Sequence, residues 1–113
     1  MNTIQKDAFE KLGQELRRGT IILVVLSQLS EPHYGYALIK TLAEKGYPVS
    51  QDTLYPLLRR LEEQHLLESE WRVEDPRPRK YYTINENGSV VYQALKNEWN
   101  QQTDIIRRIT NEN

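Results

Sequence analysis

Cysteine is absent from this sequence of 113 residues, and histidine occurs only as His33 and His65. Without thiols there is no disulfide, no thiolate nucleophile and no cysteine-ligated metal. Two histidines outside a pattern such as His-Glu-x-x-His indicate neither a metal site nor a catalytic centre. We therefore expect no cofactor and no enzymatic activity, with His33 in a loop and His65 at a helix end.

A long apolar run is also missing. The longest one, residues 21–26, falls far short of the roughly 20 residues that a membrane-spanning helix needs. The first residues contain no basic segment followed by an apolar stretch, so no secretion signal is predicted. We expect a cytoplasmic protein without a membrane partner.

Neither sign of charge dominates, because 15 basic residues face 16 acidic ones and the net charge is −1. Proteins that bind nucleic acid gain affinity from Lys and Arg, so this balance argues weakly against such a partner. It does not exclude a positive patch on one face. The chain is long enough for one compact domain and too short for two.

The first third of the chain predicts helix. Phe9, Leu12 and Leu16 recur at helical spacing, and the apolar residues 21–29 continue as a helix buried on most sides. Gly19 between these segments leaves open one long helix or two short ones.

Two short helices are predicted next. One covers residues 34–45 and stops at Gly46. Ser50 is a good N-cap for the other, but Pro56 is unfavourable inside a helix, so its regular part is expected to begin nearer Thr53. Its apolar stripe consists of Leu54, Leu57, Leu58 and Leu61.

The remainder predicts a hairpin and a final helix. Residues 67–73 alternate in polarity, residues 80–84 are rich in β-forming side chains, and residues 74–79 connect them. Asn85 can cap the helix that follows. Because a domain of this size has no remaining core for that helix to cover, its apolar seam predicts a dimer. The seam, which Gln102 interrupts, consists of Val91, Leu95, Trp99, Ile106 and Ile109.

This order of elements is that of a winged helix-turn-helix with a long C-terminal dimerisation helix. In that fold the second helix of the pair enters the major groove of DNA. The predicted fold class is therefore mainly α with a small β-hairpin. Residues 1–84 are expected to form the winged DNA-binding domain, including the N-terminal helix, and residues 85–113 the dimerisation helix.

Several side chains are placed to contact double-stranded DNA. Tyr55 and Arg59 lie opposite the leucine stripe and are expected to reach base edges, whereas cations beside the hairpin turn are expected to meet phosphates. Tyr34 can donate to a phosphate, and Tyr36 is expected to pack in the core. The predicted DNA-binding residues are Tyr34, Gln51, Thr53, Tyr55, Arg59, Arg77, Arg79 and Lys80.

The same residues also fit a protein that does not bind DNA. An outward Arg59 is equally typical of a solvated helix face, and a basic turn is typical of a solubilising loop. The low net charge fits a winged helix that binds protein instead of DNA, since this fold serves both purposes. An enzyme would need a nucleophile, base or metal constellation, and none is visible.

Four stretches together resemble the PadR family of transcriptional regulators. Each is short, but their order and separation are specific, the resemblance covers nearly the whole chain, and the length is similar to that of the short-tailed members. The stretches are Leu16-Arg17-Arg18-Gly19-Thr20, His33-Tyr34-Gly35-Tyr36, Thr53-Leu54-Tyr55-Pro56-Leu57-Leu58-Arg59-Arg60-Leu61-Glu62 and Arg79-Lys80-Tyr81-Tyr82-Thr83-Ile84.

The resemblance implies a homodimer, usually a repressor, that binds operator DNA and dimerises through its first and last helices. Some short members respond to aromatic or cationic small molecules in a pocket between subunits, beside an aromatic position that Trp99 matches. Trp99 equally suits a dimer seam without a ligand. The family's wing turn, rich in glycine and arginine, is replaced here by residues 75–78, so the wing is expected to differ from the family's in reach and flexibility. The implied dimer contacts are Phe9, Leu12, Leu16, Val91, Leu95, Trp99, Ile106 and Ile109.

Overall fold

The computed structural model describes residues 1–74 and 77–111, so Asp75 and Pro76 of the predicted wing turn lie outside the described residues. Helices dominate these ranges, and a small sheet accompanies them, as predicted. The elements are α1 (Thr3–Arg18), α2 (Ile21–Gln28), β1 (His33–Tyr34), α3 (Gly35–Glu44), α4 (Gln51–Glu63), β2 (Leu67–Arg72), β3 (Arg79–Ile84) and α5 (Glu86–Thr110).

The N-terminal segment forms two helices, which resolves the alternative that the pattern left open. Asn2 and Gln5 cap the start of α1 through reciprocal hydrogen bonds of 2.9 Å between side chain and backbone N–H. Its end lies at Gly19, and the Thr20 hydroxyl donates to the Arg17 carbonyl at 2.9 Å. None of the residues of α1 is buried. This helix therefore adds nothing to the core of its own chain.

The core lies between α2, α3, α4 and the sheet. The four leucines predicted for the stripe of α4 are all buried. Fully burying one leucine side chain stabilises a fold by roughly 1.5–3 kcal/mol, so this cluster holds the three helices together. Its members are Ile21, Val25, Leu26, Leu29, Leu38, Leu42, Leu54, Leu57, Leu58, Leu61, Leu67 and Tyr82.

The start of α4 differs from the prediction. The helix begins at Gln51, and the Ser50 side chain accepts from the Thr53 N–H at 3.3 Å, as expected of the N-cap. The expectation that the regular helix starts nearer Thr53 was wrong, since Pro56 lies inside it with an exposed side chain. A proline within a helix costs about 3 kcal/mol, and the burial of the leucines around it outweighs that cost.

Within the residues that the structure describes, the sheet has three strands in the order β1-β3-β2, all antiparallel, rather than the two that were predicted. The register of the hairpin runs from Leu67 opposite Ile84 to Arg72 opposite Arg79. β1 adds two residues, which corrects the placement of His33 in a loop. A strand of this length is too short to show the alternation from which strands are recognised.

The last helix begins at Glu86, after the N-cap Asn85, whose side chain accepts from the Gly88 N–H at 2.8 Å. The helix packs beside α2, and Tyr92 and Leu95 pack against the core. The expectation that this helix has no core of its own to cover was therefore wrong for its first half. From Trp99 onward its large apolar side chains are exposed.

Within the described ranges, no helix combines the length and the apolar character needed to cross a lipid bilayer. These ranges also contain no group of three or more histidine or carboxylate side chains that could hold a metal ion.

Candidate nucleic-acid interface

A groove of about 620 Å³ lies between α4, the start of α3 and the sheet. We call it the α4–wing groove. Aromatic and cationic side chains line it, and among the described residues no carboxylate does. Cations suit phosphates, and tyrosine hydroxyls and rings suit sugars and bases, so the lining favours a nucleic acid. The lining residues are Tyr34, Gly35, Tyr36, Gln51, Tyr55, Trp71, Arg77, Arg79, Lys80 and Tyr82.

A glycine sets the position of Tyr55 in this groove. A Cβ atom built on Gly35 would lie 2.8 Å from Cζ and 2.9 Å from Cδ1 of the Tyr55 ring, and closer still to Cε1. The ring therefore packs directly on the backbone at the start of α3, and it is half-buried against the core. Tyr55 joins α3 to α4 as well as lining the groove.

Two exposed aromatic residues in the groove were not predicted as site residues. Tyr36 is 60% exposed, so the expectation that it packs in the core was wrong. Leu38 and Leu42 of α3 are buried instead, and the helical turn directs Tyr36 away from them. Trp71, opposite Lys80 in the hairpin, is 67% exposed.

The residues of α4 that were predicted to bind DNA do not all line the groove. Gln51 and Tyr55 line it. Thr53 instead lines a cleft of about 340 Å³ on the other flank of the helix, where Arg17 and Arg18 are its neighbours. Arg59 is exposed one turn beyond Tyr55 but is not among the lining residues.

Lys80 is held by a carboxylate that the sequence pattern did not indicate. Its Nζ donates to Oε1 of Glu62 at 3.1 Å, and the Ser69 hydroxyl donates to Oε2 of the same side chain. The bond from Ser69, with help from Lys80, holds the pKa of Glu62 below its ordinary value, although partial burial opposes this. The bond to Glu62 raises the pKa of Lys80. This Glu62–Ser69–Lys80 contact connects the end of α4 to both strands of the hairpin.

Arg79 belongs to a second group of side chains in mutual contact, which we call the outer-face cluster. Its members are Tyr34, Arg72, Glu74, Arg79 and Tyr81. The Arg79 guanidinium lies 4.4 Å from the centre of the Tyr34 ring and 3.6 Å from Oε2 of Glu74. The Tyr81 hydroxyl donates to Oε1 of Glu74 at 2.7 Å, which raises the pKa of Tyr81. Tyr34 and Tyr81 meet edge to face at 5.3 Å, and the Arg72 guanidinium lies 4.1 Å from the centre of the Tyr81 ring.

The three wing cations, Arg77, Arg79 and Lys80, were predicted to share one role, but their surroundings differ. Arg79 and Lys80 line the groove, but each has a carboxylate of the same chain as a partner. Arg77 also lines the groove and is exposed. Because Glu62 lies 18 residues before Lys80, no local pattern could have indicated the pairing.

Two further apolar surfaces lie on α1 and on the second half of α5. Exposed side chains there include all the predicted dimer contacts except Val91 and Leu95, which are half-buried. A small pocket of about 120 Å³ adjoins Trp99, with Ile22, Leu23 and Leu95 among its lining residues. The large exposed apolar residues are Ile4, Phe9, Leu12 and Leu16 of α1, and Trp99, Ile105, Ile106 and Ile109 of α5.

Comparison with known proteins gives a consistent result. The family described as "Transcriptional regulator PadR-like family" matches residues 22–94. Transcriptional regulator Rv3488 of Mycobacterium tuberculosis is 40% identical over 76 residues, which cover 66% of this chain and 71% of the relative.

Solved structures of PadR-family proteins are similar to this chain over most of its length. A PadR family transcriptional regulator from Eggerthella lenta DSM 2243 is 44% identical, with a TM-score of 0.95 over 99% of this chain and 100% of that one. A PadR-like transcription factor from Bacteroides fragilis is 31% identical, with a TM-score of 0.73 over 88% of this chain and 98% of that one. This chain therefore belongs to the PadR-like family of transcriptional regulators, as the resemblance of its motifs implied.

Proposed function

We propose that this protein is a repressor that binds double-stranded operator DNA as a homodimer. In this proposal α4 enters the major groove and the β2–β3 hairpin acts as the wing. The observation that carries the proposal is the α4–wing groove, which three cations and five aromatic rings line beside α4, with no carboxylate among the described lining residues. Membership of a family of transcriptional regulators supports it.

The side chains divide into two roles. Gln51, Tyr55 and Arg59 follow one another at intervals of one turn on α4, so they are assigned to base edges. The wing cations and Tyr34 are assigned to phosphates, as is Thr53 on the other flank of the helix. Tyr36 and Trp71 join this set because they line the groove while remaining exposed.

The homodimer rests on the apolar surfaces of α1 and α5. Phe9, Leu12 and Leu16 are exposed at 61%, 62% and 81% in the single chain, which is more apolar surface than one helix of a soluble monomer usually leaves in water. Pairing with the exposed half of α5 from a second copy would cover both surfaces. Leu95 contributes less, because it already packs on the core of its own chain.

A small-molecule effector is proposed at Trp99. The ring is 45% exposed and adjoins a pocket of about 120 Å³, which is too small for a drug-sized molecule in the single chain. A second copy placed on α5 would deepen this pocket. An aromatic or cationic compound would stack on the indole, or be attracted to its face.

Protein recognition is the second candidate function. The net charge is −1, and the carboxylates beside Arg79 and Lys80 reduce the positive field of the wing. These two observations favour a winged helix that binds a protein partner.

Affinity for duplex DNA across a salt series separates the two candidates. We expect the protein to bind a random duplex at low salt, and to bind operator fragments selected from its source genome more tightly. Arg59→Ala should cost roughly 1–3 kcal/mol on the operator and narrow the difference from random duplex, if the guanidinium contacts a base. Loss of Arg77 should weaken binding to both DNAs equally and reduce the salt slope by about one unit.

The matched control is Lys45→Ala. Lys45 follows α3 at the end remote from the groove, where it donates to Gln28 at 2.9 Å, and its loss changes the net charge by the same amount. It should leave both affinities unchanged. Absence of duplex binding at low salt would reject the DNA-binding function and favour protein recognition, and an Arg59→Ala variant that matches the parent would reject the assignment of the reading face.

A further inference from the structure

Glu74 follows β2 after one intervening residue, Val73, and contacts two side chains of the outer-face cluster. Its carboxylate accepts from the Tyr81 hydroxyl at 2.7 Å and lies 3.6 Å from the Arg79 guanidinium. The side chains of Arg79 and Glu74 are about one-third exposed, at 33% and 35%. The ion pair is therefore accessible to a competing anion.

Arg79 is otherwise placed for a phosphate. Its guanidinium stacks on the ring of Tyr34 at 4.4 Å, and both side chains line the α4–wing groove. A guanidinium has donors that match carboxylate and phosphate oxygens in the same geometry. The Glu74 carboxylate thus holds the position on Arg79 that a DNA phosphate would need.

We propose that Glu74 is an internal competitor of DNA phosphate for Arg79, and that it thereby limits the sequence-independent affinity of the wing. The inference rests on the proposed DNA-binding function. When a phosphate approaches Arg79, either the ion pair with Glu74 separates or the carboxylate stays near the phosphate and repels it. Both outcomes weaken binding to any duplex, whatever its sequence.

The size of the effect follows from the exposure of the pair. Ion pairs at protein surfaces contribute about 0.2–1 kcal/mol, which corresponds to roughly 1.4- to 5-fold in affinity. Removing the charge of Glu74 should therefore tighten binding to random and operator duplexes by about 1.4- to 5-fold at low salt. The salt dependence should become steeper, by up to about one unit in slope, because Arg79 then neutralises a phosphate more completely.

The test compares Glu74→Gln with the parent protein on one random duplex across a salt series. Glutamine retains an oxygen that can accept from Tyr81, so the base of the wing keeps that contact. Glu68→Gln is the matched control, because Glu68 is exposed opposite Thr83 in the same hairpin and its loss changes the net charge equally. The control should bind like the parent.

A second pair of variants tests whether Glu74 acts through Arg79. Glu74→Asp keeps the charge but shortens the side chain, so it should tighten binding by a smaller factor than Glu74→Gln. In an Arg79→Gln background, Glu74→Gln should have no effect beyond that of Glu68→Gln.

Three results would overturn the inference while leaving the proposed function intact. These are a parent that binds duplex but is matched by Glu74→Gln, a Glu74→Gln variant that binds more weakly, and an effect that persists without Arg79. A parent that binds no duplex would reject the proposed function together with this inference.

Discussion

Gly35→Ala tests whether the contact between α3 and the Tyr55 ring is as close as the structure indicates. The new methyl group would lie 2.8–2.9 Å from two carbons of the ring, whereas carbon atoms in contact prefer about 3.5–4.0 Å. The ring must therefore retreat by about 1 Å or more. Such overpacking costs about 1–3 kcal/mol, and the better helix propensity of alanine offsets at most about 1 kcal/mol.

We expect a net loss of about 1–2 kcal/mol in the free energy of unfolding, which for a chain of this length lowers the melting temperature by about 3–10 °C. Gly19→Ala is the control, because a Cβ atom at Gly19 meets nothing within 4 Å and its φ is −73°. It should be neutral or stabilise by up to about 1 kcal/mol. Thermal denaturation followed by circular dichroism at one protein concentration measures both, since the stability of a dimer depends on concentration.

A double-mutant cycle identifies the cause. Tyr55→Ala removes the ring, so adding Gly35→Ala to it should cost clearly less than Gly35→Ala alone. Gly35→Ala should also weaken duplex binding, because the ring leaves its place in the groove. The reasoning is refuted if Gly35→Ala is as mild as Gly19→Ala, or if the two substitutions are simply additive.

Three further predictions concern the dimer, the effector and pH. Ile106→Asp should shift sedimentation toward monomer while Gln101→Asp on the same helix should not, and a parent that is monomeric at micromolar concentration would contradict the proposed dimer. In a Trp71→Phe background, aromatic or cationic compounds should quench the fluorescence of Trp99, and a diverse panel without quenching would remove the support for an effector. Because the folded pKa of Glu62 is depressed below 4.5, its contribution to stability is present above that pH and is lost as the pH falls through the folded value. The difference in melting temperature between the parent and Glu62→Gln should therefore shrink as the pH falls from about 6 to 3, and an unchanged difference would show that the carboxylate does not stabilise the fold.

The helical part of the fold was readable from the sequence because its signals are local. The leucine stripe of α4 and the Ser50 and Asn85 caps depend on residues within a few positions of one another, and all are found in the structure. Pro56 led to a wrong prediction of where α4 begins. The cost of a proline inside a helix is local, whereas the burial that outweighs it comes from contacts with neighbouring elements. β1 has only two residues and is a strand only because it pairs with β3, so no local pattern could predict it.

The site was only partly predictable for the same reason. Tyr34, Tyr55 and the wing cations line the groove, and the sequence could place them together because helix face and hairpin position are sequence properties. The Glu62 carboxylate, which pairs with Lys80, lies on a helix that the fold brings close to the hairpin. Glu74 is close to Arg79 in sequence, but this closeness alone does not show that the two side chains pair. Tyr36 could have been placed correctly, because the buried positions Leu38 and Leu42 already define the inner face of α3.

The Glu62–Ser69–Lys80 contact has a consequence for how a duplex is selected. It attaches the last turn of α4 to β2 and β3, so the separation between the reading helix and the wing is set before DNA arrives. Little ordering entropy then remains to be lost at the base of the wing on binding. A duplex whose backbones do not match this separation must deform, and the energy of deformation depends on its base steps. Sequence preference at positions that no side chain touches is therefore expected of this protein.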